Sequence, residues 1–409
     1  MNIGPLSLLT DAGHDSQTAV PLFGANDFGN QFGLLSREKI ELMLRRKMIQ
    51  AEISVEEDQL QPASLDLRLG PRAYRVRASF LPGRNLSVLE RLHALGSDDE
   101  TISLEGNGAV LERGCVYVIP LLEHLKLSKE IIAVANPKSS TGRLDIFTRL
   151  SSDNSDVFDR VALGYAGPLY AEVSPRSFSV RVRKGSKLNQ IRFRRLNSQQ
   201  RKYADFGVYE RELRVSEKEL RERHEKLALI DSVPVLRRNG LILHVGLKTE
   251  PPGGVIGYRA QKHADILDVD KAGAHRATDY WEPVRARPDK RLILDPDEFY
   301  ILASRERVQI PPDLAAEMVP IDPLMGEFRV HYAGFFDPGF GAGADNRPSA
   351  QAVLEVRSYE VPFFLEDGQP VGRLIFEKMA GRPHALYGTS GNSNYQGQGL
   401  KLSKHFRLD

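Results

Sequence analysis

The chain repeats itself at an offset of 183 residues, which limits its architecture to one structural unit used twice. Val116-Tyr-Val-Ile-Pro lines up with Phe299-Tyr-Ile-Leu-Ala, and Leu127-Ser-Lys-Glu-Ile with Ile310-Pro-Pro-Asp-Leu. Glu172 falls on Glu355, Gly185 on Gly368 and Phe193 on Phe376. Where the copies differ, chemistry is expected in the copy that keeps its reactive side chains.

Length agrees with two units. With 409 residues, each copy has enough chain to bury its own core. We read residues 1–200 as the first unit, beginning with an irregular arm over 1–35. Residues 201–235 read as a linker, and 236–409 as the second unit with a tail. A hydrophobic content of 41% and a charged content of 27% are those of an ordinary globular chain. No apolar run approaches the roughly 18 residues of a membrane span. The start has no basic region followed by a hydrophobic stretch, so a cytoplasmic location with no membrane partner is expected. A formal charge of +2 gives no argument for nucleic-acid binding. The single cysteine, Cys115, excludes a disulfide framework and reads as a buried thiol in a strand.

Local pattern points to β structure. In Ser64-Leu-Asp-Leu-Arg-Leu-Gly, Leu65, Leu67 and Leu69 alternate with polar residues, which predicts a strand with one buried face. Further strands are expected from Cys115 to Leu121, Ile131 to Ala135, Pro168 to Val173, Phe178 to Val182 and Gln190 to Arg194. Ser36 is a candidate N-cap for a helix from Arg37 to Lys47. Residues 205–230 are rich in Glu, Arg and Lys, and Leu213, Leu220 and Leu227 recur every seven residues. They read as a charged amphipathic helix joining the units and lying on the nearer one. The expected fold is mainly β, with a sandwich or distorted barrel in each unit.

Three segments carry candidate chemistry. In Asn136-Pro-Lys-Ser-Ser-Thr-Gly-Arg, the hydroxyls of Ser139, Ser140 and Thr141 and the guanidinium of Arg143 suit a phosphate or a nucleotide edge. The same loop also reads as a solvated turn. Glu172 shares a strand face with Tyr170, and a carboxylate in mid-strand must be solvated, paired or functional. Asn394-Tyr-Gln-Gly-Gln-Gly-Leu reads either as a loose terminus or as a flap that stacks Tyr395 on a base.

Taken in order, these segments resemble the dCTP deaminase family, relatives of the trimeric dUTPases, in a fused two-unit form. Leu35-Ser-Arg-Glu-Lys-Ile resembles its opening helix, and Gln61-Pro-Ala-Ser-Leu-Asp-Leu-Arg-Leu-Gly its first strand signature. Lys138-Ser-Ser-Thr-Gly-Arg resembles the family's Arg-Ser-Ser-Leu-Ala-Arg loop, and Gly164-Tyr-Ala-Gly-Pro-Leu-Tyr-Ala-Glu its Gly-Trp-x-Gly-x-x-x-Leu-Glu segment. The resemblance implies two tandem dUTPase-like units joined by the charged helix. It implies that Glu172 is the general acid/base, with Arg143 and Ser139 beside it. Lys138, Ser140, Thr141, Arg160 and Tyr170 would then bind the nucleotide, with Tyr387, Tyr395 and Gln398 from a covering tail. The second unit keeps Asp337-Pro-Gly-Phe and Glu355, but has Asp322 and Gly326 where the first has Ser139 and Arg143. The first unit has Ala162-Leu163 where the family has Asp-Pro. The first unit is therefore expected to run the reaction. The second would complete a site, supply the tail or serve as scaffold, with Asp337 a candidate to substitute for the missing Asp.

The implied reaction is hydrolysis of dCTP to dUTP and ammonia. Zinc-dependent cytidine deaminases need His-x-Glu and Pro-Cys-x-x-Cys spacings. A chain with one cysteine cannot supply them, so a zinc-free route is expected, in which Glu172 takes a proton from water and returns it. Mg²⁺ is expected to arrive on the triphosphate. By resemblance, dTTP is a candidate effector and a homo-oligomer is expected. Two other readings stay open: a dUTPase-like or bifunctional diphosphatase, and a non-catalytic nucleotide-binding regulator.

Overall fold

The computed structural model of the chain describes residues 28, 30–97, 101–202, 204, 213–321, 328–331, 334–358, 360–389 and 393–408. In the first unit, α1 (Arg37–Arg45) follows Ser36 and buries Ile40 and Met43. Its main strands are β1 (Leu65–Arg68), β2 (Arg72–Val76), β3 (Ala109–Leu111), β4 (Val116–Lys126), β5 (Ile131–Pro137), β6 (Ile146–Ser152), β7 (Ala166–Pro175), β8 (Val180–Val182) and β9 (Lys187–Arg195). Two short helices interrupt them: α2 (Val88–Ala94) between β2 and β3, and α3 (Ser139–Gly142) between β5 and β6. One sheet runs β2–β4–β7–β6, and in the other β9 pairs with both β1 and β5.

The second unit repeats the plan with β10 (Gly240–His244), β11 (Val255–Ala260), β12 (Leu267–Asp268), β13 (Arg291–Leu294), β14 (Phe299–Val308), β15 (Leu314–Pro320), β16 (Phe328–His331), β17 (Phe335–Phe336), β18 (Ala350–Ser358), β19 (Phe363–Glu366) and β20 (Pro370–Lys378). Its sheets run β11–β14–β18–β16 and β10–β20–β15–β17. The 183-residue offset survives in the pairing of β7 with β4 and of β18 with β14, and slips by one residue in the pairing of β7 with β6 and of β18 with β16. Glu172 lies opposite Val118 and Arg149, and Glu355 lies opposite Ile301 and His331.

The copies diverge in the segment after β2 and after β11. In the first unit that segment folds back, and Val88 and Leu92 of α2 pack on Val76, Val118 and Tyr170. In the second unit it reaches across to the first. β12 adds to β8 in parallel, and Tyr280 and Trp281 meet Phe178 edge-on at centroid distances of 5.4 and 5.5 Å. Phe299, Ile301 and Val353 of the second unit thereby join the first unit's apolar core. Buried ion pairs add to this seam: Arg194 donates twice to Glu377 at 2.6 and 2.9 Å, and Arg192 donates to Asp337 at 2.7 Å.

Among the described residues, the linker is helical over only part of the expected span. Its described helix, α4 (Glu217–Lys226), starts at Ser216, whose hydroxyl accepts from the Glu219 amide. The heptad leucines do not form one stripe. Leu213 packs on Ile132 and Leu196 of the first unit, while Leu220 enters the core of the second. Leu227 has left helical geometry, and residues 205–212 lie outside the described region. Cys115 also differs from expectation. It precedes β4, is half-buried, and its sulfur accepts from Arg75 at 3.2 Å. The tail is anchored at its far end: β21 (Phe406–Arg407) pairs in parallel with His275–Arg276, and Phe406 packs on Tyr280 and Trp281.

Candidate active site

The polar loop after β5 forms a single helical turn, because the amides of Thr141 and Gly142 both donate to the Lys138 carbonyl, at 2.8 and 2.9 Å. The turn is held against the second unit. Asp145, in left-handed backbone geometry at φ 55°, accepts from Ser177 Oγ at 2.6 Å and pairs with Arg357 of β18. Arg357 and Glu355 lie two apart on that strand and so share a face. This brings Arg143 Nε to 3.9 Å from Glu355 Oε1. The Arg143 guanidinium lies over the Tyr395 ring at 4.0 Å and donates through Nη1 to the Lys401 carbonyl at 3.0 Å.

A cavity of about 50 Å³ opens between Ser139 and Arg143 of the first unit and Val353, Glu355 and Asp337 of the second. Tyr387, Tyr395 and Gln398 of the tail close it. Two buried polar atoms at its wall, Arg143 Nε and Gln398 Oε1, have no hydrogen-bond partner. Leaving such a group unpaired costs about 1–3 kcal/mol, a cost a ligand can remove. Burial pushes the Glu355 carboxyl up to about 8, against the opposing pull of Arg143. Burial likewise raises Asp337, which Arg192 opposes from across the seam. The turn after Asp337 requires glycine. Gly339 has φ +88°, and a Cβ there would sit 2.9 Å from Leu386 Cβ and 3.2 Å from the Tyr387 amide nitrogen.

The tail is fitted to this wall. Gln398 exchanges backbone and side-chain bonds with Gln351 at 2.8 and 3.0 Å, and the Tyr395 amide donates to Tyr387 Oη at 3.1 Å. One face of the Tyr395 ring is thus taken by the Arg143 guanidinium.

Other expected site residues lie elsewhere. Glu172 does not line the cavity. Its Oε1 takes Arg149 Nη2 at 2.7 Å and Nε at 3.3 Å, its Oε2 has no partner, and Arg149 lies over Phe158 at 3.7 Å. Tyr170 stands where the second unit has Val353 and is buried under α2, so the space a ligand would use on that face is filled. Arg160 is exposed in a two-residue strand beside β5 and lines neither this cavity nor the cleft described next. Asp322 and Gly326 lie outside the described residues.

On the other side of α3 is a larger cleft of about 770 Å³, walled by Lys138, Ser140 and Thr141 and by Asn394 and Lys404 of the tail. Most of its cations are engaged. Lys138 pairs with Asp66, Lys187 with Asp58 at 2.7 Å, and Arg183 with Asp268 at 2.7 Å. Lys404 has no ion pair among the described residues. Burial, then the nearby Lys138, holds its ammonium below the usual lysine range. Its backbone is pinned on both sides. Ser403 Oγ donates to the Ser140 carbonyl at 2.8 Å, His405 Nε2 meets the Val269 carbonyl at 2.8 Å, and the Lys404 amide donates to Tyr395 Oη at 3.3 Å. Among the described residues, no group of three or more His, Cys, Asp or Glu could hold a metal ion.

Sequence reasoning missed Glu355 as the acid facing Arg143, and missed Lys404 and Arg192 altogether. A signal for Glu355 was present: each copy lacks what the other keeps, Ser139 and Arg143 in one and the Asp337 turn in the other. Lys404 and Arg192 had none, since a lysine near a chain end and an arginine in a strand are unremarkable.

Two like β units in tandem, with a buried acid of one lining a cavity together with an arginine and a serine of the other, define a two-unit β protein with a composite polar site. Family models identify the two units in order: the 2'-deoxycytidine 5'-triphosphate deaminase (DCD) N-terminal domain over residues 31–197 and the DCD C-terminal domain over 216–406. The chain belongs to the dCTP deaminase family. It resembles the crystal structure of 2'-deoxycytidine 5'-triphosphate deaminase from Agrobacterium tumefaciens, with 50% identity and a TM-score of 0.79, over 87% of this chain and 100% of that one. A "dCTP deaminase, dUMP-forming" from Kocuria rhizophila is 33% identical over 118 residues, 28% of this chain and 58% of its own length. A dCTP deaminase from Natronomonas pharaonis is 28% identical over 141 residues, 34% of this chain and 68% of its own. The chain thus spans little more than half the length of the Kocuria relative that it matches.

Proposed function

We propose that this chain hydrolyses the exocyclic amine of dCTP at one site built from both of its units, with Glu355 in the role that the sequence suggested for Glu172. The observation that carries the reading is the cavity where Ser139 and Arg143 face Glu355. The cytosine enters between Val353 and Tyr395, and its triphosphate, carrying Mg²⁺, extends past α3 to Ser140, Thr141, Lys138 and Lys404. Placing an anion there satisfies Lys404 and competes with Asp66 for Lys138.

Glu355 is mostly protonated at neutral pH when the site is empty. It therefore gives its proton to N3 of the ring as a water oxygen bonds to C4. The resulting carboxylate is stabilised by Arg143. It takes one of the two protons of the bound water and passes it to the amine, and as that amine departs it takes the remaining hydroxyl proton, so that Glu355 ends protonated as it began. The C4–N bond breaks, ammonia leaves, and C4 becomes the uracil carbonyl. Ser139 fixes the attacking water. A single carboxyl serving in turn as acid and base is worth about 10²–10⁴ in rate.

The test is loss of cytosine absorbance with ammonia release from dCTP. E355Q is expected to lose activity by at least that factor, and E172Q to keep it within a few-fold. Full activity in E355Q, or its loss in E172Q only, refutes the assignment. Pyrophosphate release in step with ammonia would identify the dUMP-forming reaction instead.

A further inference from the structure

Arg192 lies within β9 of the first unit, buried, and its guanidinium stays charged at every working pH. It reaches across the seam to one wall of the cavity, which it does not itself line. Its Nη2 donates to Asp337 Oδ1 at 2.7 Å and its Nη1 to the Ala316 carbonyl at 3.1 Å. The guanidinium also lies over the Phe335 ring at 4.0 Å. Phe335, Phe336 and Asp337 all line the cavity, and Ala316 is the residue of β15 opposite Phe336. One side chain of the first unit thus holds β17, its partner strand and the turn that follows it.

Stability alone does not account for this arginine. At the 183-residue offset its counterpart is the buried Ile375, so the same strand position accepts an apolar side chain. Exchanging a buried ion pair for apolar residues of like volume is often neutral or stabilising. Arg192 also carries a cost that Ile375 avoids, because its Nε is buried without a hydrogen-bond partner. What the ion pair adds is direction. An ionised carboxylate only accepts hydrogen bonds, whereas a protonated one also donates. Burial favours the proton on Asp337, and Arg192 opposes it while holding Oδ1 in place. The unit that supplies this cation has Ala162 where the second has Asp337, and Arg160 where the second has Phe335. Acid and cation therefore come from different units, as Glu355 and Arg143 do.

We infer that Arg192 is a positioning residue of the composite site, acting through Asp337: it fixes that carboxylate at the cavity wall as an acceptor for a donor group of the bound nucleotide. The inference rests on the site proposed above.

The test is made on the E355Q chain, which removes the other raised carboxyl of the cavity. Arg143 in the same cavity, Asp66 of β1 and Tyr387 of the tail are the remaining charged or titratable groups about Asp337, and every variant keeps them. Calorimetry gives the dissociation constant of dCTP from about pH 6 to about pH 9. R192M is expected to weaken binding by about tenfold or more at the acid end, the size of a lost charge-assisted contact. The gap is expected to narrow as pH rises, because Asp337 without its cation keeps its proton until the solution is more alkaline. D337N is expected to lose as much at every pH, and R192M/D337N no more than D337N. That double variant buries neither charge, so it decides the question even where R192M alone does not fold. R194M/E377M removes another buried pair of the seam, whose members do not line the cavity, and is expected to leave dCTP affinity unchanged. Unchanged circular dichroism shows that a variant is folded. A folded R192M chain that binds dCTP as its parent does overturns the inference, as does a double variant weaker than D337N or an equal loss in R194M/E377M. Turnover retained by E355Q overturns the site reading and is measured separately.

Discussion

At the scale of single residues, the two related glutamates show how environment assigns a role. Glu172 and Glu355 occupy the same strand position, yet one is tied to Arg149 at 2.7 Å and the other stands 3.9 Å from Arg143 beside a cavity. In the function we propose, the second is the one that exchanges a proton with a ligand. That role carries a stability cost with a defined sign. The folded-state value of Glu355 is raised to about 8 from an ordinary 4.5, so between those values the folded chain binds a proton that the unfolded chain has lost. Stability from this group is greatest below about pH 4.5 and falls as pH rises towards 8. E355Q removes the penalty. Its melting temperature is expected to exceed the wild type's at pH 8, by stability on the order of a few kcal/mol, and the gap should close towards pH 5. A gap that stays constant with pH would show that the carboxyl is ionised in the fold.

At the scale of elements, the decisive piece is α3, one turn of helix with a cavity on each side. Ser139 and the adjoining Arg143 face Glu355, and Ser140 and Thr141 face the cleft. The tail is its counterpart, with Tyr395 on the cavity and Lys404 on the cleft, joined by the bond between the Lys404 amide and Tyr395 Oη. Because the tail is pinned on either side of Lys404 by Ser403 and His405, the lysine is held in place before an anion arrives. K404Q is expected to raise KM for dCTP by about tenfold or more, as loss of a charge-assisted contact of about 1.5–3 kcal/mol implies. It should leave kcat within a few-fold, and affinity for dCMP should change little. Equal losses for dCTP and dCMP would place Lys404 away from the terminal phosphates.

At the scale of the whole molecule, one chain contains both halves of the site. A site assembled within a chain cannot be restored by mixing chains that each lack one half. Mixtures of R143A and E355Q are expected to stay inactive at any ratio, measured by ammonia release. Recovery towards about a quarter of wild-type activity would show that the arginine and the glutamate come from different chains. The buried pairs along the seam, Arg194 with Glu377 and Arg192 with Asp337, make separation of the units costly, since removing one partner of such a pair costs about 3–5 kcal/mol.

The sequence by itself determined the repeat, the β texture, most strand positions and the loop that carries Ser139 and Arg143. These depend on local periodicity and on a register that two copies share, and both are visible along one dimension. Which glutamate the loop meets was decided only by tertiary structure. The choice depends on a segment that folds back as α2 in one unit and crosses over as β12 in the other, burying Tyr170 in the first case and leaving Val353 beside a cavity in the second. Spacing along the chain cannot encode that choice, because both segments leave equivalent strands at equivalent positions and differ only in the partner that buries their apolar side chains. The 183-residue offset says that Glu172 and Glu355 are alike. Packing makes them different.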